Sequence, residues 1–183
     1  MSMKINFVTS NQYKFKEFTE ISGLDLARVN LDLEEIQAVD VGKVAEHKAR
    51  QAFAIIKKPV IVADTGLYCE AWKGLPGALA KWFDQTIGYA KLCNLLGEDR
   101  AARAQTVIGY YDQNGYRAFV GEVQGEIAKS PRGDYAFGWD VIFIPEGYEQ
   151  TYGEMSASEK NGISHRRRAL DELKRMLGSM ANE

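Results

Sequence analysis

The chain has 183 residues, 45% of them hydrophobic and 26% charged, with a formal net charge of −2. That length and balance fit one folded domain with a proper core and exclude a disordered chain. A charge so near zero excludes a global basic field for holding nucleic acid, so any anionic ligand must be met by a local cluster of cations. Cys69 and Cys93 are the only cysteines. They make neither a disulfide framework nor a zinc site and point to a reducing, cytoplasmic setting. The N-terminus has no charged stretch leading into an apolar one, so no signal peptide is expected. No apolar run approaches the roughly 20 residues that cross a bilayer, so no membrane partner is expected either.

Lys4 to Val8 reads as a short strand, apolar at Ile5, Phe7 and Val8, that stops at Thr9-Ser10-Asn11. A helix follows from about Asn11 to Ile21, with Phe15, Phe18 and Ile21 on its buried side. Asn11 and Lys14 share a face of its first turn. A strand, a polar turn, a helix N-terminus and a lysine make a receptor for phosphate; an ordinary Ser/Asn cap with a solvated lysine reads equally well from this stretch alone. Neither a P-loop nor a Rossmann glycine fingerprint is present.

Leu26 to Leu33 reads as a second strand, leading to Glu34-Glu35-Ile36-Gln37. Val41 to Lys57 is the clearest helix of the first half, with Val44, Ala45, Ala49, Ala52, Phe53 and Ile56 on one face. The run Val60–Ala63 suits a buried strand ending at Asp64-Thr65-Gly66. A carboxylate at a strand end is either a functional acid on rigid backbone or a turn residue bonding its own backbone. Short helical pieces are expected at Leu79–Phe83 and Tyr89–Leu96. Two strands, Ala104–Tyr111 and Tyr116–Gln124, are joined at Asn114-Gly115 as a hairpin. Alternation at the start and antiparallel pairing in the middle predict an α/β protein with a mixed sheet flanked by helices.

Phe137-Gly138-Trp139-Asp140 leads into a buried strand over Val141–Ile144. It reads as a packed aromatic corner or as a platform for a flat base with Asp140 aimed at the base edge. The last helix is expected from Ser164 to Leu177, which puts His165, Arg166, Arg167 and Arg168 in its first turn, where cations oppose the helix dipole. Such an arrangement calls for a nearby anion or acceptor, although a solvated face, with Arg168 paired to Glu172, accounts for Arg167 and Arg168. The acids Glu35 and Asp64, taken as strand-end residues, are hard oxygen donors suited to Mg²⁺, which binds through one or two carboxylates plus substrate phosphates. With the lysines Lys48 and Lys160, these features describe a pocket for a nucleoside polyphosphate.

Phe7-Val8-Thr9-Ser10-Asn11 with Lys14 and Glu17, Asp64-Thr65-Gly66-Leu67, Gly74-Leu75-Pro76-Gly77, Phe137-Gly138-Trp139-Asp140 and Glu159-Lys160-Asn161 through Ser164-His165-Arg166 together resemble the inosine triphosphate pyrophosphatase family. The resemblance runs from about Lys4 to Leu177. It implies an elongated two-lobed α/β fold, one domain over residues 1–183 with the site in the cleft, and a homodimer. The implied reaction is Mg²⁺-dependent hydrolysis of ITP, dITP and XTP to the nucleoside monophosphate and pyrophosphate, with Mn²⁺ as an alternative ion. On matching motifs, Thr9, Ser10, Asn11 and Lys14 would cradle the triphosphate and Lys48 would meet a phosphate. Glu35 and Asp64 would hold the metal, and Asp64 would be the base for water attacking the α-phosphorus. Thr65 would touch the nucleotide. Phe137 would stack on the base, Gly138, Trp139 and Asp140 would complete its pocket, and Lys160, His165 and Arg166 would line base and phosphates. Many members have two acids in a row where this chain has Ala63-Asp64. That departure keeps in view a nucleotide sensor with weakened catalysis; a pyrophosphatase with a different base preference is a separate alternative.

Overall fold

The computed structural model describes residues 4–134 and 138–180. Phe137 lies outside the described residues. A seven-stranded mixed sheet runs in the order β2-β1-β3-β5-β6-β7, with β4 attached to β3. The edge strand β2 (Leu26–Val29), then β1 (Ile5–Val8) and β3 (Val60–Cys69) are parallel to one another. The strands β4 (Pro76–Gly77), β5 (Ala101–Asp112), β6 (Gly115–Ile127) and β7 (Phe143–Pro145) pair antiparallel. The expected mixed α/β architecture is therefore present.

Two helices, α1 (Gln12–Ser22) and α5 (His165–Met180), cover one face, packing Phe18, Ile21, Ala169, Leu170 and Leu173 on Phe7, Ile61, Ile108 and Tyr110. The other face carries α2 (Val41–Ile56), whose Val41, Ala45, Ala49 and Ala52 meet Val60, Val62 and Val107. Small residues on that helix let it lie close to the strands. Gly121 serves the same purpose under α5: a Cβ there would meet the His165 carbonyl oxygen at 2.0 Å. At the far end of the sheet, α3 (Ala80–Leu95) and the segment around Trp139 close a third cluster over Leu67, Ala104 and Ile127. This helix bends at Gly88, which takes φ 73°, so the two helical pieces expected there are its two arms.

Several boundaries differ from the sequence reading for identifiable reasons. The second strand stops at Val29 because its partner β1 stops at Val8; Leu31 and Leu33 keep the alternating pattern but pack on the α2 side without a ladder. Glu35 is thus a loop residue and not a strand-end acid. The third strand continues through Asp64-Thr65-Gly66 to Cys69, paired throughout with β5. In the hairpin, Gly115 opens β6 with φ 105°, and Asp112 Oδ1 accepts from the Asn114 amide at 2.7 Å. Val141 and Ile142 precede β7, with Val141 in a short 3₁₀ turn. The helix α4 (Ala157–Ile163) was not expected. Its signal stands in the sequence as Ser156-x-x-Glu159, a reciprocal capping box.

Candidate functional site

β1 ends at Val8, and the chain turns through Thr9-Ser10-Asn11 into α1. Thr9 Oγ1 accepts from the Asn11 amide at 3.1 Å, and Asn11 Oδ1 caps the helix by accepting from the Lys14 amide at 2.9 Å. One turn into α1, Lys14 reaches across to donate to the Ala63 carbonyl at 2.8 Å. That carbonyl is accessible because of a gap in the sheet. β1 pairs with β3 at Val60 and Ile61 and β4 pairs with it at Leu67 and Tyr68, so among the described residues the stretch between lacks a strand neighbour on that side. Asp64 and Thr65 sit in this gap. Tertiary pairing, and not a strand end, holds Asp64 on rigid backbone.

Glu35 is held there by α2. The Gln51 side chain makes two hydrogen bonds with the Glu34 backbone, at 3.1 and 3.0 Å, fixing the loop beside it. One turn earlier on the same helix face, Lys48 Nζ lies 3.0 Å from Glu35 Oε2 and 3.0 Å from Asp64 Oδ1. The two carboxylates are therefore within twice that distance of one another. Burial works against the Lys48 charge, but the two carboxylates outweigh it and hold its pKa above the ordinary value. Burial dominates at Lys14 and lowers its pKa, with Asp64 opposing. Asp64 Oδ2 is buried and has no hydrogen-bond partner among the described residues.

These residues line a cleft of about 680 Å³. Of the expected site residues, Thr9, Ser10, Asn11, Lys14, Glu35, Lys48, Asp64, Thr65, Gly138 and Trp139 all face it. Asn30, Asp32 and, from α3, Lys81, Asp84 and Tyr89 also line it, none of which the motifs had singled out. Lys81 and Asp84 were legible only as neighbours at helical spacing. Tyr89 has its pKa raised by burial first and then by Asp84 and Asp140.

The other expected residues that are described, Asp140, Lys160, His165 and Arg166, form a second group and are not among those lining the cleft. Asp140, His165 and Arg166 are buried. Lys160 joins Asp140 Oδ2 and lies 3.6 Å from Glu17 Oε1, while Arg166 Nη1 donates to the same Glu17 oxygen at 3.0 Å. His165 packs against the rings of Trp139 and Tyr152, at 5.2 and 5.9 Å, and its two nitrogens have no hydrogen-bond partner among the described residues. Burial, reinforced by Arg166 and Lys160, holds its pKa well below the usual 6.5, so it is neutral. The anion called for by the basic start of α5 is Glu17 of α1, whose signal was its position one turn after Lys14. The other two arginines turn outward. Arg167 pairs with Asp171, and Arg168 donates to the Glu122 carbonyl at 2.7 Å instead of pairing with Glu172.

The donor set fits a divalent cation. Glu35 and Asp64 offer hard oxygens that already surround one positive group, and Asp64 Oδ2 is an orphaned buried acceptor. Among the described residues no group of three or more His, Cys, Asp or Glu forms a protein-only metal cage, so the coordination would be completed by other oxygens. The Ala63 side chain belongs to the core under α1 and α5, and the residue itself lines the cleft beside Asp64.

The Ham1 family profile matches residues 5–176. The chain is 42% identical over 176 residues to the dITP/XTP pyrophosphatase of Thermococcus kodakarensis, covering 93% of this chain and 95% of that one. It is 40% identical over 188 residues to the inosine triphosphate pyrophosphatase of Yarrowia lipolytica, covering 99% of each. Among solved structures, the Staphylococcus aureus Ham1 protein superposes with a TM-score of 0.84 at 30% identity, over 97% of this chain and all of the other.

Proposed function

The chain belongs to the Ham1 family, and from that membership and its cleft we propose that it hydrolyses the noncanonical purine nucleoside triphosphates ITP, dITP and XTP to the monophosphate and pyrophosphate. The observation that carries this reading is the trio Glu35–Lys48–Asp64, which sets an unbonded buried carboxylate oxygen beside a lysine and a second carboxylate in one polar cleft. The relatives' names support the substrate class.

The Thr9–Asn11 turn and the start of α1 receive the triphosphate, with Lys14 and Lys48 supplying full charges. Asp64 takes a proton from water as its oxygen attacks the α-phosphorus; the bond to the β-phosphate oxygen breaks and pyrophosphate leaves. Glu35 and Asp64 would hold Mg²⁺, or Mn²⁺ in its place, and when bound that ion neutralises phosphate charge. We assign the purine to the Gly138–Trp139 end, with Phe137 stacking on it and Thr65 touching the nucleotide beside Asp64. The Asp140–Lys160–Glu17–Arg166 network, with His165 packed against Trp139, forms the wall behind. A site built for a 6-oxo, N1–H purine leaves polar groups unpaired when adenine enters, and such sites reject analogues by as much as roughly 10⁴–10⁵-fold.

We read the chain as one domain of two lobes acting as a cytoplasmic homodimer. The unpaired cysteines Cys69 and Cys93 suit a reducing compartment, and sedimentation of the purified protein tests the dimer. The functional reading itself is tested by a panel of ITP, dITP, XTP, ATP and GTP with the product identified. The expected result is pyrophosphate release from the first three in preference to the last two. Equal turnover of all five, or release of orthophosphate, would overturn it.

A further inference from the structure

Lys48 already occupies the place between the carboxylates assigned to a divalent ion. Its ammonium is 3.0 Å from each, and its own side chain and that of Asp64 are 17% and 13% exposed. A cation held there does the electrostatic work of a metal: it cancels the repulsion of Glu35 and Asp64 and fixes their spacing. The same closeness means that an ammonium and a metal ion cannot share the position, because two cations a few ångströms apart repel. Lys14 is differently placed, with its ammonium on the Ala63 carbonyl and no ion pair among the described residues.

We propose that Lys48 is a placeholder for the metal. It clasps the Glu35 loop onto Asp64 in the metal-free protein, leaves when a divalent ion binds, and so becomes available to the triphosphate. This rests on the functional reading above. Lys48 stands on the rigid helix α2, so only its flexible stem has to swing. Metal binding alone strips the lysine of both partners, whereas with triphosphate present the released ammonium meets phosphate oxygens. Metal and nucleotide therefore reinforce one another's binding, each by the same factor. The consequence is a site that holds its metal loosely until substrate arrives.

The test uses purified metal-free protein and lysine-selective acylation read at Lys48 by mass spectrometry during Mn²⁺ addition. Labelling of Lys48 is expected to rise roughly 10-fold as Mn²⁺ binds, a coupling of ordinary size, and to stay flat in Asp64→Asn. In parallel, Lys48→Met is expected to bind Mn²⁺ about 10-fold more tightly than wild type without nucleotide. Lys14→Met removes a charge near Asp64 but no bridge, and should tighten binding less. Mn²⁺ binding that leaves Lys48 labelling unchanged overturns the placeholder, as does equal tightening in both variants or none in Lys48→Met. None of these results touches the functional reading. Failure of wild type to turn over ITP with either ion removes that reading, and the placeholder with it.

Discussion

At one end of the site Lys48 bridges Glu35 and Asp64; at the other Lys160 bridges Asp140 and Glu17. The chemistry is the same, a lysine between two carboxylates, but the surroundings differ. The Glu35 side chain is 63% exposed on a loop, whereas Asp140 is buried and shares its network with an arginine that is 1% exposed. Water and counter-ions screen Glu35, so that partner can be exchanged for a metal or a phosphate at modest cost, while Lys48 and Asp64 are 17% and 13% exposed. In the second group Asp140 and Arg166 lie in low dielectric, where a lost partner leaves an uncompensated charge. The Glu35 end suits exchange and the Asp140 end rigidity, in keeping with the proposed placement of the phosphates and the base.

The largest effect that would break this contrast concerns the Glu35 end. Asp64→Asn should lower kcat for ITP by about 10²–10⁴-fold, the usual contribution of a general base, while the folded protein keeps its melting temperature and still binds ITP. Unchanged turnover would require a different base. At the Asp140 end, Arg166→Met should destabilise the protein by about 3–5 kcal/mol, the cost of breaking a buried pair, as read by urea unfolding. A loss below about 1 kcal/mol, typical of surface pairs, would erase the distinction between the two ends.

The third prediction concerns pH. His165 stays neutral in the fold because burial, aided by Arg166 and Lys160, depresses its pKa. Below about pH 6.5 the unfolded chain takes up a proton that the folded chain refuses, so stability present above that pH is lost as pH falls. The loss is about 1.4 kcal/mol per unit. His165→Phe should remove this component, and the difference between the two urea midpoint profiles from pH 7.5 to 5.5, a range chosen to span about 6.5, measures it. Parallel profiles would show that His165 titrates normally. The smallest effect is expected at the exposed Arg167–Asp171 pair. Arg167→Ala should change stability by no more than about 0.5 kcal/mol, confining the importance of the basic cluster to Arg166.

Much of the fold was legible where a local signal existed. The spacing of Val44, Ala45, Ala49 and Ala52 specified α2, and Asn11, near which a helix was expected to begin, is the N-cap of α1. Errors arose where a pattern was correct but its partner was missing. Leu31 and Leu33 alternate as in a strand, yet nothing remains to pair with them once β1 has ended. Asp64-Thr65-Gly66 has the composition of a turn, yet the β5 ladder keeps it extended. The capping box at Ser156 and Glu159 was a local signal overlooked. For the site, the expected residues from Thr9 to Lys14, with Glu35, Lys48, Asp64, Thr65, Gly138 and Trp139, line the cleft, whereas Asn30, Asp32, Lys81, Asp84 and Tyr89 were not singled out. The burial of Asp140, His165 and Arg166 was not legible because chemical type carries no information about burial.

By itself the sequence determined the alternation of helix and strand, a net charge near zero, and which acids and lysines were available for a polyphosphate site. These follow from periodicity and composition, which are local or summed quantities. Only the tertiary structure decided that Asp64 stands at a gap in the sheet, that Lys48 sits between Glu35 and Asp64, and that Arg166 finds its anion in Glu17, 149 residues away. Those choices depend on which surfaces meet when the helices close on the sheet, and no local pattern encodes such an encounter.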